Sequence, residues 1–244
     1  MISPAGSTPS TLILCGGFGT RLARRLRGLP KFLAPIGGRP YADHLLEWLS
    51  AWHLRDVVLC VGHLADPIRA FCGDGGRWGL TVRYSEEQTP LGTAGALALA
   101  TRQPLTDTLL VLNGDTLLGF DPHATIRAHE SCGSRVTLVL AHVADRSRFG
   151  AVEIDGDGQV TQFAEKGRRG PGLVNAGVYV LDADILRTLP PVRPLSLETD
   201  VFAHLPRRAL HAVVAPGPFL DFGTPDSLDV AGDVLALLPR PARS

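Results

Sequence analysis

The stretch "TLILCGGFGTRL", residues 11 to 22, begins as an apolar run and continues directly into glycines. The run "TLILC" has the length of a strand, and its continuous hydrophobicity is typical of a strand covered on both faces. In open α/β sheets, ligands bind just beyond the carboxyl ends of strands. The stretch therefore predicts a buried first strand that ends in a ligand-binding loop.

Apolar runs of similar length recur along the chain and are separated by amphipathic stretches of helical length. The predicted strands are "VVLCV" at 57–61, "TLLVLN" at 108–113 and "VTLVLAHV" at 136–143, and the predicted helices are 41–52, 92–102 and 122–132. Strands that alternate with helices form a largely parallel sheet with helices on both faces. The pattern thus indicates an α/β fold built on a mostly parallel central sheet.

The second half of the chain has a different pattern. "GAVEIDGDGQVTQFAEKG" at 150–167 contains two alternating runs around Asp-Gly steps, which is a strong signal for a β-hairpin. We expect this hairpin to be a small antiparallel excursion that leaves the main sheet. "LVNAGVYVLD" at 173–182 predicts a further strand, and "PDSLDVAGDVLALL" at 225–238 predicts one closing helix.

Length and composition set the class of protein. The chain has 244 residues, so we expect a single domain over 1–244 with flexible ends at 1–10 and 239–244. Its four cysteines show no C-x-x-C spacing, and its N-terminus lacks the basic start and apolar stretch of a signal peptide. No apolar run reaches the length of about 18 residues that a membrane span needs. These features predict a cytoplasmic protein with reduced thiols and no membrane partner.

The distribution of charge predicts a local anion site. The 24 basic and 24 acidic side chains balance, whereas nucleic-acid-binding domains usually carry an excess of Lys and Arg, so we expect no nucleic-acid partner. The first acid is Asp43, yet six cationic side chains precede it beside the glycines. Glycine N–H groups can cradle a phosphate. The span matches neither the P-loop nor the dinucleotide pattern, and a simple strand-to-helix turn is the alternative.

The longer span from Gly16 to Pro40, "GGFGTRLARRLRGLPKFLAPIGGRP", resembles the signature of the nucleotide-sugar-forming nucleotidyltransferases, GG-x-GTRL, PK-x-L-x-P and G-x-P. The resemblance continues through "PLGTAGAL" (90–97), "LNGDTLL" (112–118), "FAEKG" (163–167), "VNAGVYVL" (174–181), "SLETD" (196–200) and "FLDFGTPDSL" (219–228). It implies a Rossmann-like fold of the nucleotide-diphospho-sugar transferase type. Within this family the chain is most similar to the D-glycero-α-D-manno-heptose 1-phosphate guanylyltransferases, with the mannose-1-phosphate guanylyltransferases next.

The resemblance implies a reaction between two phosphorylated substrates. The sugar 1-phosphate would attack the α-phosphorus of a nucleoside triphosphate in line, which releases pyrophosphate and forms an NDP-sugar. We expect GTP and D-glycero-α-D-manno-heptose 1-phosphate as substrates, and GDP-heptose for a cell-surface polysaccharide such as lipopolysaccharide or capsule as the product. The compact chain favours the heptose enzymes over the longer mannose enzymes. A homodimer is a further expectation.

Other functions are left open by the sequence. Within the family, the alternatives are mannose 1-phosphate, another base or another hexose 1-phosphate. Outside it, the chain could be a non-catalytic sugar-nucleotide sensor, or a metal-dependent glycosyltransferase that uses "DGD" at 155–157. The alternating residues on both sides of "DGD" favour a hairpin turn there instead of a metal site.

Nucleotidyl transfer needs cations and dipoles that stabilise charge on phosphorus and on the leaving group. By resemblance, the catalytic residues are Arg21, Lys31, Asp115 and Asp221, with Mg²⁺ as cofactor held by Asp115 and Asp221. The nucleotide-binding residues implied in the same way are Gly16, Gly17, Gly19, Thr20, Arg21, Gln88, Gly92 and Thr93, with Gly92 leaving room for a purine. The residues expected at the sugar 1-phosphate are Asn113, Glu165, Lys166, Asn175, Gly177 and Glu198.

The sequence around Asp115 and Asp221 is compatible with their expected role as Mg²⁺ ligands. Asp115 follows a buried strand and Asp221 follows the apolar "PFL" run, so both could reach one crevice, although an Asp after a strand is more often a cap or turn residue. Two residues depart from the family pattern. Cys15 replaces an alanine before the glycine pair, which exchanges one small residue for another, and Gly167 replaces a proline, which leaves Lys166 less rigidly placed. The remaining cations of the opening span are expected to be solvated: Arg24, Arg25 and Arg27.

Overall fold

The structure is a computed structural model that describes residues 8–17, 19, 21–164, 167, 169–190 and 193–241. The strands are β1 (Ser10–Leu14), β2 (Pro35–Ile36), β3 (Arg39–Pro40), β4 (Asp56–Val61), β5 (Thr81–Glu86), β6 (Thr108–Asn113), β7 (Thr116–Leu118), β8 (Val136–Val143), β9 (Ala151–Ile154), β10 (Val160–Ala164), β11 (Gly172–Asp182), β12 (Leu210–Val214) and β13 (Phe219–Asp221). The α-helices are α1 (Ala23–Leu26), α2 (Tyr41–Ala51), α3 (Ala65–Cys72), α4 (Gly92–Ala100), α5 (Pro122–Cys132), α6 (Ala183–Arg187), α7 (Pro225–Asp229) and α8 (Ala231–Ala236).

Nine of the described strands form one sheet. Its parallel part has the order β6-β1-β4-β5, in which Thr11 of β1 is level with Leu110 on one side and Val57 on the other. β11 runs antiparallel to both β6 and β8, and β12 pairs in parallel with β8. The predicted α/β architecture with a mostly parallel central sheet is therefore confirmed.

The first strand is buried on both faces, as its continuous hydrophobicity predicts. Ile13 packs into the core on one face of the sheet, and Leu12 packs into the core on the other face. Fully burying a side chain of this size stabilises the fold by roughly 1.5–3 kcal/mol. This packing fixes the carboxyl end of β1, and with it the start of the glycine loop.

Ser10 was expected to lie in a flexible terminus, but it is the buried first residue of β1. Its hydroxyl donates to Asp56 Oδ2 at 2.6 Å, and its N–H donates to Thr106 Oγ1 at 2.8 Å. These two bonds satisfy polar groups that would otherwise be costly to bury. Within the C-terminal segment, the Pro239 carbonyl accepts from Trp48 Nε1 at 3.2 Å. Residues 1–7 and 242–244 lie outside the described part of the chain.

The predicted hairpin forms from β9 and β10, but it does not leave the main sheet. β11 has eleven residues and β6 has six, so the first half of β11 extends past the carboxyl end of β6. There Val174 pairs with Ala151 of β9 on the side that β6 occupies farther along. The hairpin pairs with the part of β11 that extends past β6, so β9 and β10 continue the main sheet there.

The closing helix is divided in two. Thr224 and Ser227 form a reciprocal capping box, and Pro225 occupies the first turn, so α7 begins where the sequence predicts. α7 ends at Asp229, and α8 starts after Val230. The prediction of one continuous helix was wrong at this position.

The four cysteines are free thiols, as expected from the lack of a C-x-x-C pair. Cys15, Cys60 and Cys72 are buried free thiols, and Cys132 is a partly buried one. Burial raises the pKa of the Cys60 thiol to about 12, which keeps it protonated and unreactive. Among the described residues, no helix is both long enough and apolar enough to cross a membrane.

Candidate active site

A cleft of about 360 Å³ lies beyond the carboxyl ends of β1, β4 and β6. Gly16 and Gly17, which follow β1, form part of its wall, and Asn113 and Asp115 at the end of β6 form another part. The segment from Glu87 to Ala96, which leads into α4, closes the third side. Sequence reasoning placed a ligand at this end of the strands, and the topology brings the predicted residues to the same opening.

Lys31 and two carboxylates form a charged cluster at this opening. The Lys31 Nζ lies 2.9 Å from Asp115 Oδ2. β13 pairs with β7 so that Asp221 is level with Thr116, the residue after Asp115. A Cβ atom at Gly223 would lie 2.6 Å from Asp221 Oδ1 and 3.6 Å from Lys31 Nζ, so the ammonium and both carboxylates lie close together.

A group of aromatic rings beneath the cluster holds it in place. Phe32 follows Lys31, Phe222 follows Asp221, and the buried Tyr41 ring lies between them at centroid distances of 6.1 Å and 4.8 Å. The Tyr41 hydroxyl donates to the Thr116 carbonyl at 2.5 Å. Rigid packing of this kind reduces the freedom of charged side chains next to it, which favours a fixed geometry for catalysis.

Glu87 also borders the cleft, although the sequence prediction passed over it. One carboxylate oxygen, Oε2, accepts from the Leu91 N–H at 2.9 Å, and the other lies against Gly16 and Gly62. Burial raises the pKa of the Glu87 carboxyl, and the bond from Leu91 opposes this shift. The neighbouring Gln88 is exposed, and its expected contact with the nucleotide stays a prediction.

The predicted sugar side lies on β11 and on the turn around Glu198. Asn175 Nδ2 donates both to the Tyr179 hydroxyl, at 2.8 Å, and to Glu198 Oε1. Asn175 Oδ1 accepts from the Gly177 N–H at 3.0 Å. Gly177 has a φ of +70°, and a Cβ there would lie 2.3 Å from Asn113 Nδ2. Only glycine allows Asn113 to pack here, which joins the sugar side to the cleft.

The segment that carries Gly92 and Thr93 touches the sugar side directly. A Cβ at Gly92 would lie 2.5 Å from the Leu195 carbonyl oxygen, so this glycine is required by the neighbouring main chain. Gly92 also lines the cleft, so its expected role in leaving room for a purine stays a prediction beside this packing role. Thr93 lines the cleft, and its hydroxyl accepts from the Leu197 N–H at 2.9 Å.

The arginines of residues 21–27 are exposed, as expected for Arg24, Arg25 and Arg27, and the expected nucleotide contact of Arg21 stays a prediction. Arg21 is exposed after the glycine loop, on which Gly19 faces the Lys31 side chain. Arg25 is exposed and forms an ion pair with Asp229 on α7. Arg24 and Arg27 are also exposed. Thr20, Glu165 and Lys166, which were expected to contact substrate, lie outside the described residues.

A second cavity, of about 280 Å³, lies between α2, β7 and α8. Its wall is largely apolar and includes Trp48 and Phe120. The guanidinium of Arg39 at its edge is already paired with Asp43 and Glu47. It contains no glycine loop with adjacent carboxylates, so the cleft at the strand ends is the better candidate for polyanionic substrates.

Comparison with known proteins agrees with this geometry. Residues 10–235 match the family model described as Nucleotidyl transferase. The chain belongs to this family. Two guanylyltransferases and one solved structure are similar to this nucleotidyltransferase over most of its length.

The relatives differ in how much of their own length they share. The mannose-1-phosphate guanylyltransferase of Mycobacterium tuberculosis is 34% identical over 95% of this nucleotidyltransferase, which spans only 66% of that relative. The D-glycero-alpha-D-manno-heptose 1-phosphate guanylyltransferase of Campylobacter jejuni is 32% identical over 88% of the chain and 95% of the relative. HddC from Yersinia pseudotuberculosis, solved in complex with GMP-PN, has a TM-score of 0.81 and 30% identity over 92% of this chain and 98% of its own.

The rival "DGD" segment is a turn in this nucleotidyltransferase. Asp155 Oδ1 accepts from the N–H groups of Asp157 and Gln159, at 3.0 Å and 2.9 Å, between β9 and β10. An Asp that bonds its own following backbone in this way is typical of a turn. The Asp155 carboxylate therefore stabilises the hairpin turn.

Proposed function

We propose that this nucleotidyltransferase joins GTP to D-glycero-α-D-manno-heptose 1-phosphate, with Mg²⁺ as cofactor, to form GDP-heptose and pyrophosphate. The observation that carries the proposal is the cluster of Lys31, Asp115 and Asp221 at the mouth of a glycine-lined cleft. The arrangement places a cation and two carboxylates beside glycines whose N–H groups would contact a phosphate. This set suits the transfer of a phosphoryl centre between two polyanions.

The chain's own groups divide the work of the reaction. A sugar 1-phosphate oxygen would attack the α-phosphorus, and the bond to the β-phosphate would break with its electron pair leaving on pyrophosphate. The N–H groups of the glycine loop and the Arg21 guanidinium would hold the triphosphate. Lys31 would release Asp115 and neutralise charge that develops on the phosphates. Aligning the two substrates converts a bimolecular reaction into one within a complex.

The carboxylates fit Mg²⁺, which prefers oxygen ligands and commonly takes one or two carboxylates plus phosphates and water. No group of three or more His, Cys, Asp or Glu side chains suited to a metal occurs among the described residues, so substrate phosphates and water would supply the remaining ligands. When bound at Asp115 and Asp221, Mg²⁺ would stabilise negative charge on the phosphates.

The position of the Glu87 carboxylate in the wall of the cleft supports guanine as the base of the nucleotide. The Watson–Crick edge of guanine carries two adjacent donors, N1–H and N2–H, and an ionised carboxylate can accept from both. Uracil and thymine present one donor between two carbonyl oxygens, which a carboxylate would repel. The heptose and mannose relatives are also guanylyltransferases by name.

The similarity to a heptose 1-phosphate guanylyltransferase, 32% identical over 88% of this chain, supports the heptose substrate. Mannose 1-phosphate is the alternative, because a mannose-1-phosphate guanylyltransferase is 34% identical over 95% of the chain. Four free thiols support a reducing, cytoplasmic setting for the reaction. The expected homodimer stays a prediction.

The proposal is tested by measuring pyrophosphate release with each nucleoside triphosphate and with heptose, mannose and glucose 1-phosphates. GTP with the heptose substrate is expected to give the highest kcat/KM. A sugar-nucleotide sensor would release no pyrophosphate with any pair. A glycosyltransferase would instead consume a finished nucleotide-sugar and release a nucleoside diphosphate.

Replacement of Glu87 by Gln is expected to lower kcat/KM for GTP by about 10- to 100-fold, because one accepting oxygen becomes an N–H donor that faces a donor of guanine. The rate with UTP or dTTP should change much less, so the preference for GTP over UTP narrows. Steady-state kinetics with both nucleotides measures this. Glu86→Gln is the matched control, because Glu86 is exposed and pairs with Arg69. Equal losses with GTP and UTP would contradict a base-reading role.

The sugar preference gives a further test. Heptose 1-phosphate is expected to exceed mannose 1-phosphate in kcat/KM by at least about tenfold, and by more if the site hydrogen-bonds the extra hydroxyl. Parallel pyrophosphate-release assays with both sugars measure the ratio. A preference for mannose 1-phosphate would support the alternative guanylyltransferase. A preference for glucose 1-phosphate would contradict any manno-configured substrate.

A further inference from the structure

Two loops that serve different substrates in the proposed function are bonded to each other. The Leu195 N–H donates to the Leu91 carbonyl at 2.8 Å, and the Ala94 N–H donates to the Leu195 carbonyl at 2.9 Å. The Leu197 N–H donates to Thr93 Oγ1 at 2.9 Å. The nucleotide-side segment 91–94 and the sugar-side segment 195–198 therefore form one bonded unit.

Thr93 acts at the start of an unusual turn. Residues Leu197–Val201 form a short π-helix, a rare conformation that is frequent at functional sites. The first N–H groups of a helix have no partner within it. Within this turn, Ser196 Oγ accepts from Thr199 N–H, whereas the Leu197 N–H finds its acceptor outside, in Thr93. The residue next to this bond is Glu198.

Glu198 is held from its other side by β11. Both Nδ2 hydrogens of Asn175 are engaged, one by Glu198 Oε1 and one by the Tyr179 hydroxyl. Tyr179 is buried, and its ring packs against Phe202 at a centroid distance of 5.4 Å. The Asn175 N–H groups are thus both used within the protein, which leaves Glu198 as the group better placed to accept from the sugar.

The resemblance already places Glu198 near the sugar hydroxyls, and we propose that Thr93 and Tyr179 are the positioning residues that hold its carboxylate there. The inference rests on the proposed function. It assigns Thr93 to sugar selection, although sequence reasoning expected this residue to contact the nucleotide. Thr93 fixes the main chain of the π-helical turn, and Tyr179 fixes the carboxylate through Asn175. Loss of either one would loosen Glu198 without removing it.

Thr93→Val keeps the shape of the side chain and removes the acceptor of the Leu197 N–H. It is expected to raise KM for the sugar 1-phosphate about tenfold, the effect of losing one buried hydrogen bond, and to change KM for GTP less than about twofold. Thr93→Ser keeps the hydroxyl and should restore wild-type KM. Tyr179→Phe should raise the same KM in the same direction. Thr188→Val is the control, because it removes a threonine hydroxyl bond to the Ile185 carbonyl at the end of α6. α6 follows the end of β11 that pairs with the start of β6, away from the cleft.

A set of deoxy sugar 1-phosphates separates positioning from general damage. Glu198→Gln should reduce discrimination against the one analogue that lacks the hydroxyl bound by Glu198. Thr93→Val and Tyr179→Phe should reduce discrimination against that same analogue and leave the others unchanged. The inference would be overturned if Thr93→Val or Tyr179→Phe reduced discrimination equally against every analogue. A rise in KM for GTP with Thr93→Val would also overturn it.

The controls keep this inference distinct from the proposed function. Pyrophosphate release by the wild-type protein is measured first, and its absence would reject the proposed function alone. Calorimetric titration of the sugar 1-phosphates into wild type and variants then gives the same comparison of affinities. If Thr93→Val does not fold, the comparison is made with Thr93→Ser and Tyr179→Phe. Wild-type discrimination among the deoxy sugar 1-phosphates by Tyr179→Phe would then overturn the inference.

Discussion

Asp115→Asn and Asp221→Asn are each expected to lower kcat by more than about a hundredfold, the scale for losing a major source of charge stabilisation in the transition state. Each amide keeps the shape of the carboxylate and removes one negative charge from the proposed metal site. Neither side chain is fully buried, so the melting temperature should change little. Pyrophosphate release at saturating GTP, sugar 1-phosphate and Mg²⁺ measures kcat.

The "DGD" segment at 155–157 supplies the control for the Asp115 and Asp221 variants. Asp157→Asn alters an exposed carboxylate in the turn between β9 and β10 and should leave kcat unchanged. Binding of Mn²⁺ in place of Mg²⁺, followed by electron paramagnetic resonance with GTP present, gives a readout independent of turnover. Near wild-type kcat in either the Asp115 or the Asp221 variant would reject the metal role of that residue.

Lys31→Met should lower kcat/KM by about a hundredfold to a thousandfold, because a preorganised cation beside the transferring phosphate would be lost. The methionine keeps most of the aliphatic packing against the glycine loop, so the charge is the main change. Arg21→Ala should weaken GTP binding in the same direction. Steady-state kinetics and direct titration of GTP distinguish loss of binding from loss of transfer.

Arg25→Ala is the matched control for these cations. Arg25 lies in the same basic span, but its guanidinium pairs with Asp229 on the surface, and exposed pairs contribute little to stability. Its removal should change kcat/KM less than about twofold at moderate ionic strength. An effect as large as that of Arg21 or Lys31 would indicate a diffuse basic patch instead of a defined site.

The parts of the fold that follow from local hydrophobicity were predictable. β6 and β8 have the predicted limits, because both strands are continuous apolar runs. The pairing of the β9–β10 hairpin was not predictable in the same way. It depends on β11 being longer than β6, and a difference in strand length creates a free edge only after both strands are in the sheet.

The candidate site shows the same limit of sequence reasoning. Asp115 and Asp221 were predicted at one opening, since each follows an apolar strand, and the structure brings them together. Glu87 was missed, because its burial depends on Gly16 and Gly62, which lie just beyond the ends of β1 and β4. The roles of Gly92 and Thr93 depend on segment 195–197, which is distant in sequence and has no strong periodic pattern.

The pairing of β13 with β7 has a consequence for the chain during its synthesis. Asp221 lies level with Thr116, the residue after Asp115, through this three-residue ladder, and β13 follows β12 in the chain. Contacts between segments so far apart in sequence close large loops and slow folding. During synthesis, the glycine loop and Lys31 leave the ribosome long before Asp221 does. A growing chain thus carries the residues proposed to bind phosphate before it carries the second proposed metal ligand, and we expect turnover only after β13 has paired with β7.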